Sequence, residues 1–236
     1  MRPIAEDALT TPGVRVVPAP VVPALVAPVW HTCCLLAVVA AFAGFFVFAG
    51  AASGAPGLGH VPLYLMAIVF EWTTFGLCLW RTDVAFTGYV ARAWKNPRAL
   101  VWDIPMAAIL AGTLLLIAPV IVHLMGSGGW GSTRGMLPVN GAEVALWIVL
   151  AVSAGICEET VFRGYVQRQL AGWTGSTAIG ILGQGVIFGL GHAYQGPKKV
   201  VLIAVWGCVF GLFVWLRKGL RSNMLAHAAI DLLPVL

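Results

Sequence analysis

The 236-residue chain is 60% hydrophobic and only 10% charged, whereas an ordinary soluble domain carries about 25% charged residues. With a mean hydropathy of +0.91, such a surface excludes a water-facing globule and makes lipid the solvent. The net charge of +5 comes from basic residues scattered one to four at a time through short loops, with no aromatic-interleaved basic stripe. That pattern excludes a nucleic-acid partner and reflects orientation in a bilayer.

In chain order, residues 1–28 carry Pro3, Pro12, Pro18, Pro20, Pro23 and Pro28, together with Arg2 and Arg15. Repeated prolines break any helix, so this stretch is expected to be a flexible cytoplasmic tail rather than a signal peptide. Seven apolar segments follow, at 29–52, 62–80, 104–125, 141–169, 176–195, 199–216 and 222–236. About 20 apolar residues cross a bilayer, so the fold class is all-α, a polytopic transmembrane helix bundle of about seven spans. Pro119 is expected to kink the third span. Residues 85–97 are readable either as a short interfacial helix anchored by Tyr89 and Trp94 or as an ordinary basic loop. The glycine-rich stretch 126–140 lacks the order of a phosphate cradle. Three regions result: the tail 1–28, membrane helices in 29–140, and a core in 141–236.

Orientation follows from lysine and arginine. With the 81–103 loop in the cytoplasm, the inner segments hold Arg2, Arg15, Arg81, Arg92, Lys95, Arg98, Arg163, Arg168, Arg217, Lys218 and Arg221, and the outer ones Arg134, Lys198 and Lys199. That split, 11 to 3, puts the amino terminus in the cytoplasm, in a multi-pass protein of the plasma membrane. The five cysteines form no CxxC pair, and an odd number without a framework argues against structural disulfides.

An ionisable group at mid-helix costs from ~2.5 kcal/mol upward in lipid, so it usually has a partner or a function. Seven such groups occur: Glu71, His123, Glu158, Glu159, His192, His227 and Asp231. Glu71 stands alone in the second span and is read as protonated or hydrogen-bonded to a neighbour. His123 is an ordinary histidine near a span end. The others cluster late in the chain. Glu159 and Arg163, four apart, share a helix face and can form an ion pair, which frees the adjacent Glu158 for another task. His227 and Asp231 repeat that spacing, and His192 adds an imidazole from a third helix. Carboxylates and histidines meeting in this way make either a water-activating site or a metal site. No serine nucleophile elbow and no HExxH is present. The thiol of Cys157 points about 100° away from Glu158 on an α-helix.

Glu158-Glu159-x-x-x-Arg163, Phe188-x-x-x-His192 and His227-x-x-x-Asp231, in this order on membrane helices, resemble the CPBP intramembrane protease family. That family includes the type II CAAX prenyl endopeptidases and bacterial Abi-type proteins. The resemblance covers roughly residues 141–236, and it implies a polar catalytic cavity formed by the last four helices. It also implies an intramembrane endopeptidase acting near the terminus of a membrane-associated peptide or protein, prenylated or unprenylated. Glu158 would activate water with His192, Arg163 would steady Glu159, Phe188 would aim His192, and His227 and Asp231 would sit near the scissile carbonyl. The prenyl endopeptidases resemble this chain except that their last motif residue is Asn. An ionised carboxylate cannot donate to an oxyanion, so Asp231 orients His227, carries a proton, or ligates a metal. A divalent metal such as zinc on His192, His227 and Asp231 and a metal-free mechanism both stay open. A non-proteolytic scaffold or immunity-type relative and a proton-coupled transporter are the alternatives. One tension remains in the depths. At about 1.5 Å per residue, Glu158 and His192 lie about 18 and 24 Å from the inner ends of their spans, and His227 only about 8 Å.

Overall fold

The computed structural model describes residues 25–48, 59–130 and 134–236. The 1–24 part of the proline-rich tail therefore lies outside the described residues, as do 131–133 of the glycine-rich stretch. The helices are α1 (Val29–Phe48), α2 (His60–Leu79), α3 (Val84–Lys95), α4 (Leu100–Met125), α5 (Gly141–Glu158), α6 (Gln167–Thr174), α7 (Thr177–Gly191), α8 (Pro197–Arg217) and α9 (Arg221–Leu232). A π-helical segment, Glu159–Val166, joins α5 to α6. Among the described residues there is no strand.

Five helical stretches are long and apolar enough to cross a membrane: Val29–Phe48, His60–Leu79, Pro97–Met125, Gly141–Thr174 and Pro197–Arg217. The two other expected spans are shorter. The segment 176–195 is the 15-residue α7, and 222–236 is the 12-residue α9 followed by a 3-10 turn. Large apolar side chains point outward, such as Trp102, Leu116 and Leu124 on α4, all at least 70% exposed. Only lipid makes that surface stable. Residues 85–97 are largely helix: α3 is capped by Asp83, which accepts from Phe86 N. Its Tyr89 ring is buried and its Trp94 exposed, so the tryptophan is the aromatic ring of α3 that can anchor in an interface. Helix α4 runs on through both Pro105 and Pro119.

Close helix contact sets the site. A Cβ on Gly155 would lie 2.6 Å from the Met224 carbonyl and 3.1 Å from Ala228 Cβ, so only glycine lets α5 and α9 approach this closely. Gly185 and Gly207 bring α7 and α8 together in the same way, with Gly185 Cα 2.8 Å from a Cβ placed at Gly207. The start of α1 is tied down by polar contacts. Gln169 accepts from Val26 N and Ala27 N and donates to Ala27 O at 2.6 Å. His31 bonds Tyr165 Oη at 2.7 Å.

These contacts resolve the discrepancy in depth. The first turn of α9 is level with the first turn of α4, because Asp103 accepts from Arg221 Nε and Ser222 Oγ at 2.6 and 2.8 Å. Gly164 is level with the same point, packed on Leu220 and on Phe86 of α3. Glu158 lies six residues before Gly164, and His227 six residues beyond Arg221, so both sit at one depth. Helix α6 and the first turns of α7 project past that level as a hairpin, with Gly180 set against the Gln167 carbonyl. Residue 170 therefore lies beyond the level shared by the first turns of α4 and α9.

Candidate active site

Glu159 and Arg163 are both 0% exposed and form the expected ion pair, Arg163 Nη1 donating to Glu159 Oε1 at 2.9 Å. The guanidinium lies 4.0 Å from the ring centre of Phe188 and 4.8 Å from that of Phe210. Aromatic faces thus take the place of water around a buried cation. Glu159 accepts two further bonds, from Asn223 Nδ2 at 3.1 Å and from His227 Nδ1 at 2.9 Å. Its role is wider than the pairing with Arg163 read from the sequence, because it also fixes the imidazole of α9.

With Nδ1 of His227 donating to Glu159, Nε2 is turned toward the cavity. It lies 3.5 Å from Glu158 Oε2 and 3.6 Å from Asp231 Oδ2. Asp231 therefore faces the imidazole four residues before it, and Trp147 Nε1 donates to its backbone carbonyl at 2.8 Å. Glu158 Oε2 is buried and has no hydrogen-bond partner. The two adjacent glutamates thus differ sharply: one is saturated by three donors, the other is held close to an imidazole and left open.

His192 occupies the C-cap of α7, with φ −101° and ψ 19°, and not the helix body. Nδ1 donates to the Phe188 carbonyl at 2.9 Å, and the two rings meet edge to face at 4.8 Å. Phe188 thus aims the imidazole through its carbonyl and its ring, and Nε2 is left free.

The cavity in front of these groups has a volume of about 430 Å³. Glu158, His192, His227 and Asp231 line its polar end. The apolar wall includes Val39 and Phe42 of α1 and Leu63 and Phe70 of α2. The last four helices therefore supply most of the polar groups, but they do not enclose the cavity alone; the first two helices complete it. Glu71 of α2 is 6% exposed and lines the same cavity as Glu158. It is not the isolated acid read from the sequence. Nothing in local spacing connects residue 71 with residue 158, because the packing of α2 on α5 brings them to one cavity. Asn223 is a second site residue that the sequence reading does not single out, although Asn223, His227 and Asp231 form a stripe at intervals of four on α9.

Cys157 is fully buried and does not line the cavity, and all five cysteines are free. Among the described residues, no group of three or more His, Cys, Asp or Glu side chains is arranged to hold a metal ion. The expected ligands His192, His227 and Asp231 all line the cavity. His227 and Asp231 face each other, and His192 stands on the separate cap of α7.

The site is a cluster of carboxylates and imidazoles lining a cavity in a bundle of helices apolar enough to cross a membrane. Residues 140–233, under half of the chain, match the family model described as Type II CAAX prenyl endopeptidase Rce1-like, and this segment is similar to that family. No curated protein and no solved structure matches the chain.

Proposed function

We propose that the protein is an intramembrane endopeptidase that hydrolyses a peptide bond near the terminus of a membrane-associated peptide or protein through a water activated by Glu158. The observation that carries this reading is the contrast between the glutamates. Glu159 is consumed by structure, whereas Glu158 borders the cavity with an unpartnered oxygen 3.5 Å from His227 Nε2.

In this mechanism a water in the cavity gives its proton to Glu158, and its oxygen attacks the scissile carbonyl carbon. General-base assistance of this kind contributes about 10²–10⁴ in rate. His192, with Nδ1–H committed to the Phe188 carbonyl, offers the Nε2 lone pair to the same water. When the His227 ring carries both protons, Nε2–H donates to the oxyanion of the tetrahedral intermediate. Glu159 and Asp231 hold that ring in place from either side. The proton on Glu158 then passes to the departing amine as the C–N bond breaks. Glu71, beside Glu158, keeps the base oriented toward the cavity. The apolar wall from α1 and α2 receives the hydrophobic part of the substrate and keeps bulk water out.

The positive-inside distribution supports a multi-pass protein of the plasma membrane with its amino terminus in the cytoplasm. The test is a comparison of protein termini in membrane fractions carrying wild type or Glu158→Gln. Cleavages lost in the variant identify the substrate. An unchanged set of termini, with the variant folded and present at normal level, favours the scaffold or transporter readings instead.

A further inference from the structure

We infer that the face formed by α3 and the start of α6 is a binding site for the phosphate of an anionic lipid headgroup, with Arg92, Arg168 and the Tyr89 hydroxyl as its donors. Helix α3 lies between the end of α2 and the start of α4, level with the Asp103–Arg221 pair, and so at the end of the bundle where basic residues concentrate. The guanidinium carbon of Arg168 is 4.5 Å from the ring centre of Tyr89, and that of Arg92 is 5.5 Å from it. Two cations thus converge on one tyrosine.

Neither cation is paired with an acid among the described residues. Among the described residues, Arg92 and Arg168 take part in no hydrogen bond and no ion pair, and Arg168 Nε is buried without a partner. The carboxylates just before α3 and at the start of α4 are occupied: Asp83 caps α3 through Phe86 N, and Asp103 holds Arg217 and Arg221. The buried Arg168 Nε is an unmet donor, which is costly, and a phosphodiester placed between Arg168 and the exposed Arg92 would accept charge-assisted bonds from both. Burial pushes the Tyr89 phenol up to about 12, so its hydroxyl stays a donor at every physiological pH. It forms no hydrogen bond with a described residue.

A lipid source is favoured over a soluble phosphate by the surroundings. Trp94 on α3, Trp173 on α6 and Trp102 on α4 are 56%, 38% and 70% exposed, and exposed tryptophans of this kind mark the headgroup layer.

The test titrates a fluorescent phosphatidylglycerol into the detergent-solubilised full-length protein, with competition by unlabelled phosphatidylglycerol, phosphatidylcholine or inorganic phosphate. Phosphatidylglycerol should displace the probe. Phosphatidylcholine should compete at least tenfold more weakly, and inorganic phosphate at millimolar concentration should not. Basic residues near an anionic surface each contribute enough for about a fivefold change in affinity. Arg92→Gln and Arg168→Gln should each weaken binding about fivefold, and the pair about 25-fold. Lys95→Gln, outside the tyrosine cluster, should change it less than twofold. If an arginine variant fails to fold, Tyr89→Phe keeps the ring, removes only the donor, and should weaken binding about threefold. Unchanged affinity in the folded double variant, or in Tyr89→Phe where the double variant does not fold, overturns the site. Equal competition by phosphatidylcholine overturns the requirement for an anionic headgroup. Displacement by inorganic phosphate as strong as by phosphatidylglycerol overturns the lipid assignment.

Discussion

Replacing Glu159 by glutamine keeps the shape of the side chain and removes its charge. In the wild type the carboxylate takes hydrogen bonds from Arg163, Asn223 and His227. The substituted amide would keep one acceptor oxygen and turn an NH₂ group toward donors. Arg163, 0% exposed, would become a buried cation whose neighbours are the rings of Phe188 and Phe210. Cation–π contacts return about 2 kcal/mol at a desolvated site, whereas breaking a buried pair from one side costs about 3–5 kcal/mol. For a chain of this length each kcal/mol shifts the unfolding midpoint by about 2–4 °C. Glu159→Gln should therefore lower the midpoint by about 6–20 °C. Intrinsic tryptophan fluorescence during thermal unfolding in detergent measures this, with wild type and Glu158→Gln in parallel. Glu158 receives none of the donors that saturate its neighbour, so its variant should unfold within about 2 °C of wild type while losing at least about 10² in turnover. A Glu159→Gln protein as stable as wild type but inactive, beside an active Glu158→Gln protein, would mean that the two glutamates have exchanged roles.

Three further outcomes are expected. Gly155→Ala forces its new methyl to within 2.6 Å of the Met224 carbonyl. It should separate α9 from α5 and reduce turnover more than tenfold in protein that still inserts, as peptidase assay and membrane-fraction immunoblot will show. Asp231→Asn separates the zinc reading from the metal-free one. Elemental analysis that finds stoichiometric metal in wild type, lost together with activity in the variant, supports zinc. Metal-free active wild type and an active variant refute it. Single cysteines placed in the amino-terminal tail and near Arg134, on a cysteine-free background, should label from opposite sides of the membrane, and labelling from one side would reverse the orientation.

The helical class, the membrane setting and five of the seven expected spans are legible directly, because lipid requires long apolar runs and nothing else in the chain produces them. The Glu159–Arg163 pair is equally legible, because a spacing of four on one helix fixes neighbours without knowledge of the fold. The short helices α7 and α9 are not. Their apolar stretches read like full-length spans, and only the structure shows that the helices there are 15 and 12 residues long. The π turn over Glu159–Val166 leaves no compositional trace, yet all eight of its residues are buried. Glu71 and Asn223 show two ways in which a site residue hides. The first depends on contact between helices far apart in sequence. The second stands in plain view as the first member of a four-residue stripe, but carries no charge to draw attention to it.

The placement of the two glutamates suggests why a stable bundle leaves one acid unpaired. Burying charge is tolerable only where donors are supplied, and this fold concentrates its donors on Glu159: a guanidinium, an amide and an imidazole from three different positions. That arrangement fixes His227 and, through it, the spacing between Nε2 and the cavity. Glu158, one residue earlier, has only the Nε2 side of His227 at 3.5 Å and borders the cavity instead. A carboxylate saturated by hydrogen bonds is a poor proton acceptor, because each bond stabilises the charged form it would have to give up. The same three donors that make Glu159 a structural anchor therefore make it a poor candidate for the base, and Glu158, without that set of bonds, is the residue to which the proposed mechanism gives the proton from water.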